Sequence, residues 1–316
     1  MPRDGLSGPE RAAGTEIDRI NRLFSDAFTD RYQRDGLAGV RVPLLNPAIW
    51  RFAIAAAGDG ALVWRDGSGA IAAFNMVHCS GAEGWMGPLA VRPDRQGRGL
   101  GQAIVREGIR RLEGSGARVI GLETMPRTVD NIGFYSRLGF RPGHLTVSVT
   151  RALDESGARS GARFPTGSWQ GLMARCRELT ESLAPGVDFS RELHLTREHE
   201  LGGLTVVPET GLASGFALWH TAPLAEGRPG DEARVLKLAA RDAEAFRVLI
   251  AAVERDAMRA GARQVSVRCQ TAYTSAYEIL LQSGYVVHWT DLRMTLSGRQ
   301  EVRARNGGVV FSNWEI

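Results

Sequence analysis

The stretch Leu89–Gln102, with the sequence LAVRPDRQGRGLGQ, decides the fold. Its apolar start predicts the end of a strand, and Pro93 stops that strand because proline has no N–H to donate to a β-ladder. A glycine-spaced turn, Gln96–Gly101, then opens a helix. The apolar face of that helix is indicated by positions with helical spacing, namely Ile104, Val105, Gly108, Ile109 and Leu112. The stretch therefore predicts a strand–turn–helix unit.

The glycine-spaced turn has the properties of an anion-binding site. The first N–H groups of a helix lack intrahelical partners and carry the positive end of the helix dipole. The glycines allow close approach to the backbone, and Arg98 adds a positive charge. A Walker loop requires Gly-Lys-Ser/Thr, whereas the single lysine of the chain is Lys237, and the glycine spacing is not that of a Rossmann fingerprint. The turn therefore suits a pyrophosphate, unless it is an ordinary strand-to-helix loop.

Two motifs together resemble those of the GNAT superfamily of N-acyltransferases. Gln96-x-x-Gly99-x-Gly101 after an apolar strand is similar to the acetyl-CoA signature of that family, and Asn131–Phe140, NIGFYSRLGF, is similar to its second motif. The resemblance covers roughly residues 50–150. It implies that acetyl-CoA is the cosubstrate and that the following residues bind it: Leu89, Ala90, Val91, Gln96, Gly97, Arg98, Gly99, Leu100, Gly101, Gln102, Asn131 and Tyr135.

The order of predicted elements agrees with this resemblance. Thr15 is expected to be the N-cap of the first helix. The predicted order is two helices, three strands, helix, strand, helix, strand, which the GNAT fold shows. The elements are helices at Thr15–Arg34 and Asn46–Ala57, strands at Gly60–Arg65, Ala70–Cys79 and Glu83–Val91, the helix after the glycine turn, a strand at Arg118–Thr124, a helix at Val129–Leu138 and a strand at Arg141–Thr150.

The second half of the chain repeats the first at an offset of about 145 residues without a gap. At this offset Gly116-Ala117-Arg118 falls on Gly261-Ala262-Arg263, and Leu138-Gly139-Phe140 falls on Ser283-Gly284-Tyr285. The predicted fold class is therefore α/β, with tandem GNAT folds that each contain a mixed, mostly antiparallel sheet flanked by helices. We expect a GNAT domain at 1–153, a polar linker at 154–168 and a degenerate GNAT-like domain at 169–316.

The repeat lacks the residues that the motifs require. The turn residues Gln96, Gly97, Arg98, Gly99 and Gly101 fall on Arg241, Asp242, Ala243, Glu244 and Phe246, while Asn131 falls on Ala276 and Tyr135 on Leu280. Two carboxylates would then repel a phosphate, and a phenylalanine would block the backbone. We therefore expect the second half to hold no CoA.

The resemblance also implies catalytic roles. Tyr135 is expected to protonate the leaving thiolate, and Glu83 to deprotonate the amine, directly or through a water. Glu123 is a similar candidate for the base, and His78 and His144 are alternatives, although a lone histidine is more often structural. In the family, the strand that contains Leu89, Ala90 and Val91 diverges from its neighbour, and a freed N–H can polarise the thioester carbonyl. Pro88 agrees with a disrupted ladder there.

The composition and residue spacing of the chain argue against nucleic-acid binding, a membrane span and a metal site. The net charge is +4, but the 39 basic residues are spread along the chain and matched by 35 acidic ones, so nucleic-acid binding is not expected. No apolar run predicts a membrane span or a secretory leader, and three distant cysteines fit a reducing cytoplasm. No metal is expected, since Cys-x-x-Cys is lacking and His194 and His199 are badly spaced.

The sequence thus predicts a cytoplasmic enzyme, monomeric or homodimeric, that transfers an acetyl group from acetyl-CoA to a primary amine of a small molecule. The alternative is a CoA-binding sensor or adaptor without turnover.

Overall fold

The computed structural model describes residues 6–153, 164–165, 167–208 and 213–315. Most of the linker predicted at 154–168 lies outside these residues. The elements of the first half are β1 (Ser7–Arg11), α1 (Ile17–Arg34), α2 (Pro47–Ala57), β2 (Ala61–Arg65), β3 (Ile71–Ser80), β4 (Glu83–Val91), α3 (Leu100–Gly114), β5 (Val119–Thr124), α4 (Val129–Arg137) and β6 (Phe140–Ala152).

The second half repeats this order from its first helix onward. Its elements are α5 (Trp169–Leu183), α6 (Ser190–Glu198), β7 (Gly202–Pro208), β8 (Ala213–His220), β9 (Glu232–Ala240), α7 (Ala243–Arg259), β10 (Gln264–Gln270), α8 (Thr274–Gln282), β11 (Val286–Leu296) and β12 (Val309–Ser312). The series from α5 to β11 therefore corresponds to the series from α1 to β6. The predicted fold class is confirmed: the molecule is a mixed α/β structure with a mostly antiparallel sheet and flanking helices.

One continuous sheet joins the two halves, with the strand order β1-β2-β3-β4-β5-β11-β6-β10-β9-β8-β7 and β12 beside β9. The corresponding strands β6 and β11 each pair with a strand of the other half. Strand β11 lies antiparallel to β5, with Leu292–Thr295 opposite Gly121–Thr124, and β6 lies antiparallel to β10. Strands β6 and β11 also pair with each other at the centre. The two repeats thus exchange strands, so neither has a complete sheet of its own.

Helix α3 packs closely on the sheet, as its sequence predicts. Ile104, Val105 and Leu112 are buried, whereas Ile109 is only half-buried. Gly108 allows the contact, because a Cβ at that position would lie 2.3 Å from the Met86 sulfur. The glycine therefore fixes the distance between the helix and β4, which sets the position of the turn before it.

Of the predicted starts of the first two helices, that of α2 agrees with the structure and the cap predicted for α1 does not. Helix α2 begins as expected, with Asn46 accepting a hydrogen bond from the Ala48 N–H at 2.9 Å. The prediction that Thr15 caps α1 is wrong. A short 3₁₀ turn precedes that helix, and Glu16 accepts the Ala13 N–H at 3.1 Å instead. Among the described residues, no helix has both the length and the apolar character needed to cross a membrane.

Candidate active site

Strands β4 and β5 run side by side and then separate. Their parallel pairing joins Glu83–Met86 to Val119–Leu122 and ends before Gly87. Beyond that point β4 stays with β3 through Val91, whereas β5 keeps only the pairing on its other edge, with β11, through Thr124. A gap therefore opens between β4 and β5 at the end of β4 that leads to the glycine-spaced turn.

The backbone of β4 presents hydrogen-bonding groups to this gap. The Arg92 N–H donates to the Ala72 carbonyl oxygen on β3 at 2.9 Å. Because N–H groups alternate along an antiparallel strand, those of Leu89 and Val91 point away from β3 and into the gap. The Gln96 side chain ties the turn to the strand by donating to the Val91 carbonyl oxygen at 3.0 Å.

The turn before α3 leaves the start of the helix uncapped. Gly97 and Gly99 have φ values of 76° and 82°, in the left-handed region that favours glycine. Gly99 is the N-cap and offers no side chain to the helix N–H groups. Gly101 belongs to the first turn of α3, and it lines the adjoining cavity together with Gly97 and Gly99. The first N–H groups of α3 are thus open to an anion.

Two of the residues predicted to bind the cofactor, Leu100 and Arg98, do not line the cavity. Leu100 is buried in the core beneath α3. Arg98 is exposed and does not line the cavity, so its charge is available only from the solvent side of the turn.

The gap and the turn open into one cavity of about 710 Å³. Its walls come from α1, β4, β5, α4 and, from the second half, β10, β11 and the segment that starts at Ser312. Of the residues predicted to bind the cofactor, those that line it are Leu89, Ala90, Val91, Gln96, Gly97, Gly99, Gly101, Gln102, Asn131 and Tyr135.

Tyr135 lies in the cavity wall on α4. It is 7% exposed, and burial raises the pKa of its hydroxyl to about 12. The hydroxyl therefore stays protonated across the physiological range and can donate a proton. Asn131, one turn earlier on α4, donates to the Thr124 hydroxyl at 3.5 Å and so holds α4 against the end of β5.

Glu83, by contrast, lies behind the cavity wall. Its carboxyl group is buried and hydrogen-bonded to Ser312, which does line the cavity. Burial raises the pKa of Glu83, with the charge of Glu301 acting in the same direction. The structure therefore does not bring Glu83 into the wall beside Tyr135.

The two histidine candidates also lie outside the cavity wall. The His78 ring stacks on Trp314 at 4.0 Å, and its Nε2 is 3.0 Å from the Gly87 carbonyl oxygen. Burial lowers the pKa of His78 to about 3, so the ring is neutral. His144 is exposed.

Glu123 lies in the wall and is held by several donors. Arg293 Nη1 lies 2.7 Å from its Oε1, the Thr146 hydroxyl donates to the same oxygen at 2.5 Å, and Arg268 Nη2 donates to Oε2. Burial alone would raise the pKa of Glu123, but the two guanidinium groups and the hydrogen bonds outweigh it and lower the pKa. Glu123 is therefore a fixed anion.

The sequence reasoning missed the contribution of the second half to this wall. Asp291 on β11 accepts hydrogen bonds from Arg268 Nη2 at 3.0 Å and from the Trp289 indole N–H at 3.1 Å. Burial and the neighbouring Glu123 charge raise the pKa of Asp291, although Arg268 opposes them. No motif marks these positions. They reach the cavity only because β11 is inserted beside β5.

The fold and the site define an α/β protein with an open helix N-terminus beside a strand gap that leads into a deep cavity. The model of the acetyltransferase (GNAT) family matches residues 18–140, which cover both the turn and Tyr135. These residues are therefore a GNAT acetyltransferase domain.

Comparisons with individual proteins show how far the likeness extends. A mycothiol acetyltransferase of Clavibacter michiganensis is 31% identical over 91 residues, which are 29% of this chain and 30% of that protein. A GCN5-related N-acetyltransferase from Sphaerobacter thermophilus has a TM-score of 0.58 at 16% identity, covering 96% of this chain and 99% of that one. A tandem GNAT protein from the clavulanic acid biosynthesis pathway has a TM-score of 0.51 at 13% identity, covering 92% and 98%. The whole chain thus has the tandem GNAT fold.

Proposed function

We propose that the protein is an acetyl-CoA-dependent N-acetyltransferase that acts on a primary amine of a small molecule. One observation carries the proposal: the uncapped glycine turn, the gap between β4 and β5 and the Tyr135 hydroxyl all meet in one cavity. The GNAT domain at residues 18–140 supports acetyl transfer as the reaction class. The mycothiol acetyltransferase match spans only about 30% of that relative's length, so the acceptor is not inferred from it.

The donor would bind in three places. The pyrophosphate would accept hydrogen bonds from the first N–H groups of α3, where Gly97 and Gly99 leave room for it. The extended arm would follow the gap between β4 and β5. The N–H of Leu89 or Val91 would then polarise the thioester carbonyl as the tetrahedral intermediate forms.

The chemistry would proceed by direct attack of the amine on the thioester. The nitrogen lone pair forms the C–N bond, and the C–S bond breaks with its electron pair going to sulfur. Tyr135 donates its proton to that sulfur, and the high pKa of its hydroxyl keeps the proton available. The nitrogen gives up one proton through water, which restores the Tyr135 hydroxyl after its own transfer.

We propose a structural role for the second half. It would hold no CoA itself, but it supplies β11 to the sheet and one wall to the cavity. We further propose that the protein works in the cytoplasm, as a monomer or a homodimer, without a metal.

A screen of acceptors tests the proposal. Amines, aminoglycosides, amino acids and peptides would be incubated with acetyl-CoA while released CoA thiol is measured. Amine-dependent thiol release with formation of the N-acetyl product supports the assignment. Tight CoA binding without thiol release from any acceptor would favour the sensor or adaptor function instead.

A further inference from the structure

We propose that Asp291, supplied by the second half, binds the acceptor amine and removes its proton, and that the acceptor is a cationic primary amine on an apolar, preferably aromatic, body. This inference rests on the proposed N-acetyltransferase function. It names the catalytic base and the substrate class, which that function leaves open.

Asp291 is only partly neutralised by its neighbours. Arg268 bridges Asp291 and Glu123, while Arg293 bridges Glu123 and Glu301, with an N–O distance of 2.7 Å in both pairs of Arg293. Glu301 does not line the cavity, so two carboxylates and two guanidinium groups of this network face the cleft. Asp291 shares its one guanidinium with Glu123, and a carboxylate that is only partly neutralised favours a cation over a neutral or anionic ligand.

The two carboxylates of the cleft, Glu123 and Asp291, differ in how many donors hold them. Glu123 accepts from two guanidinium groups and one hydroxyl, so its anionic form is fully held. Asp291 accepts from one guanidinium and one indole, which leaves lone pairs on its oxygens for a further donor. When the surroundings of two neighbouring carboxyl groups make their pKa values differ in this way, the less stabilised carboxylate is the one able to exchange a proton at moderate pH.

An apolar, largely aromatic surface lies beside Asp291. Tyr32 from α1 and Trp289 from β11 face each other across the junction of the halves, with ring centroids 6.4 Å apart. Trp289 is 40% exposed although it lines the cavity, and Phe24 and Phe28 extend the same aromatic wall along α1. Such rings accept an aromatic body and also favour a nearby cation.

The step balances as follows. The Asp291 carboxylate takes one proton from the ammonium and leaves a neutral amine, which attacks the thioester carbon. As the C–N bond forms and the C–S bond breaks, Tyr135 protonates the sulfur. The second proton lost by the nitrogen restores the Tyr135 hydroxyl through water, and Asp291 releases its proton to solvent. The net products are the amide, CoA thiol and one proton.

The charged neighbours of Asp291 shape its pH dependence. Arg268 faces it from β10, Glu123 from β5 and the Tyr32 hydroxyl from α1. The step requires the carboxylate form, so kcat/KM for the amine should fall on the acid side as Asp291 is protonated.

The test measures binding and turnover in the full chain. 2-Phenylethylamine is the cationic probe and 3-phenylpropan-1-ol its neutral counterpart, each titrated in the presence of CoA. For Asp291→Asn we expect affinity for the amine to fall at least about tenfold and that for the alcohol to stay within twofold. With the best amine of the screen, kcat/KM should fall about 10²-fold or more, the acid limb of its pH profile should disappear, and Asp291→Glu should restore part of the rate.

Controls separate this inference from the function on which it rests. Asp26→Asn removes an exposed carboxylate that pairs with Arg41 away from the cavity, and it should behave as wild type. The KM for acetyl-CoA should remain within twofold in Asp291→Asn, which shows an intact donor site. If the wild type turns over amines and Asp291→Asn keeps its rate and acid limb, Asp291 is not the base. If the wild type turns over no amine, the proposed function fails and this inference fails with it.

Discussion

The strand-to-helix turn occurs twice in this molecule, and the two copies differ in what they offer to an anion. In the first half, residues 92–99 separate β4 from α3, and the helix begins at an uncapped glycine. In the second half only Arg241 and Asp242 separate β9 from α7. Asp242 caps that helix by accepting the Ala245 N–H at 2.8 Å. The same topological position is therefore an open helix N-terminus in one copy and a capped one in the other.

The sequence alignment explained the expected lack of CoA binding by two repelling carboxylates and a blocking phenylalanine, and the structure changes this explanation. At the constant offset β9 would end at Leu236, but the strand continues to Ala240 and takes up the residues that would have formed the loop. Phe246 does not block a phosphate path, since it is a core residue packed against Phe311. The second copy is expected to hold no CoA because it lacks the loop and because its own carboxylate already occupies the helix N–H groups.

The largest expected effect comes from removing the second half. Because the two halves exchange strands, this change should disrupt the whole fold. A chain ending at residue 165 lacks β11, the strand that pairs with both β5 and β6, and it also lacks β10. We expect this fragment to be insoluble or inactive, because two strands then expose unpaired edges. Solubility, circular dichroism and CoA-thiol release would measure this. A soluble and fully active fragment would mean that the first half is self-sufficient.

The two copies differ on the helix that follows β5 in one and β10 in the other. Tyr135 on α4 corresponds to Leu280 on α8, and the second prediction tests this difference. Tyr135→Phe removes the proton donor and should lower kcat by about 10²–10⁴-fold, with a smaller change in KM for acetyl-CoA. Tyr277→Phe, a tyrosine on α8 outside the cavity, is the matched control. An unchanged kcat, with chemistry shown to limit the rate, would make Tyr135 a packing residue.

The third prediction tests the open helix N-terminus directly. Gly99→Glu places a carboxylate where the phosphates would bind, so affinity for acetyl-CoA should fall about 10–100-fold, the equivalent of one or two charge-assisted hydrogen bonds. Gly101→Glu should act in the same direction. Calorimetry on the folded variants would measure both, and wild type should bind one CoA per chain.

The control for backbone strain is Gly116→Glu. Gly116 has a φ of 77° and open space around its Cβ position, like Gly99, but it follows the other end of α3. It should bind acetyl-CoA normally. Affinity of Gly99→Glu within threefold of wild type, or a stoichiometry of two, would contradict the assignment of the site.

The sequence could predict features that depend on residues close together in the chain, but not features that depend on pairing between distant strands. The bounds of β4 were predicted at the observed residues, because proline and glycine act locally. The strand exchange could not be predicted, since β6 and β11 occupy corresponding positions in the two repeats and either could pair with β5. Asp291 and Trp289 could not be assigned for the same reason, because only the pairing of β11 with β5 brings them to the cavity.

The smallest expected effect lies in the second copy, at Asp242. Removing this cap by Asp242→Ala should lower the free energy of unfolding by about 1 kcal/mol, a typical cost for a lost N-cap. Turnover should not change, because Asp242 does not line the cavity. The hydrogen bond from Ala245 lowers the pKa of Asp242 in the folded state. Since a lowered pKa stabilises the fold above the ordinary aspartate pKa, the difference between variant and wild type should persist at neutral pH. It should vanish as the pH falls through the folded-state pKa. Urea unfolding at neutral and acidic pH would measure it. If Asp242→Ala gained affinity for a second CoA, the cap alone would separate the two copies, and the shortened loop would not be needed to explain the difference.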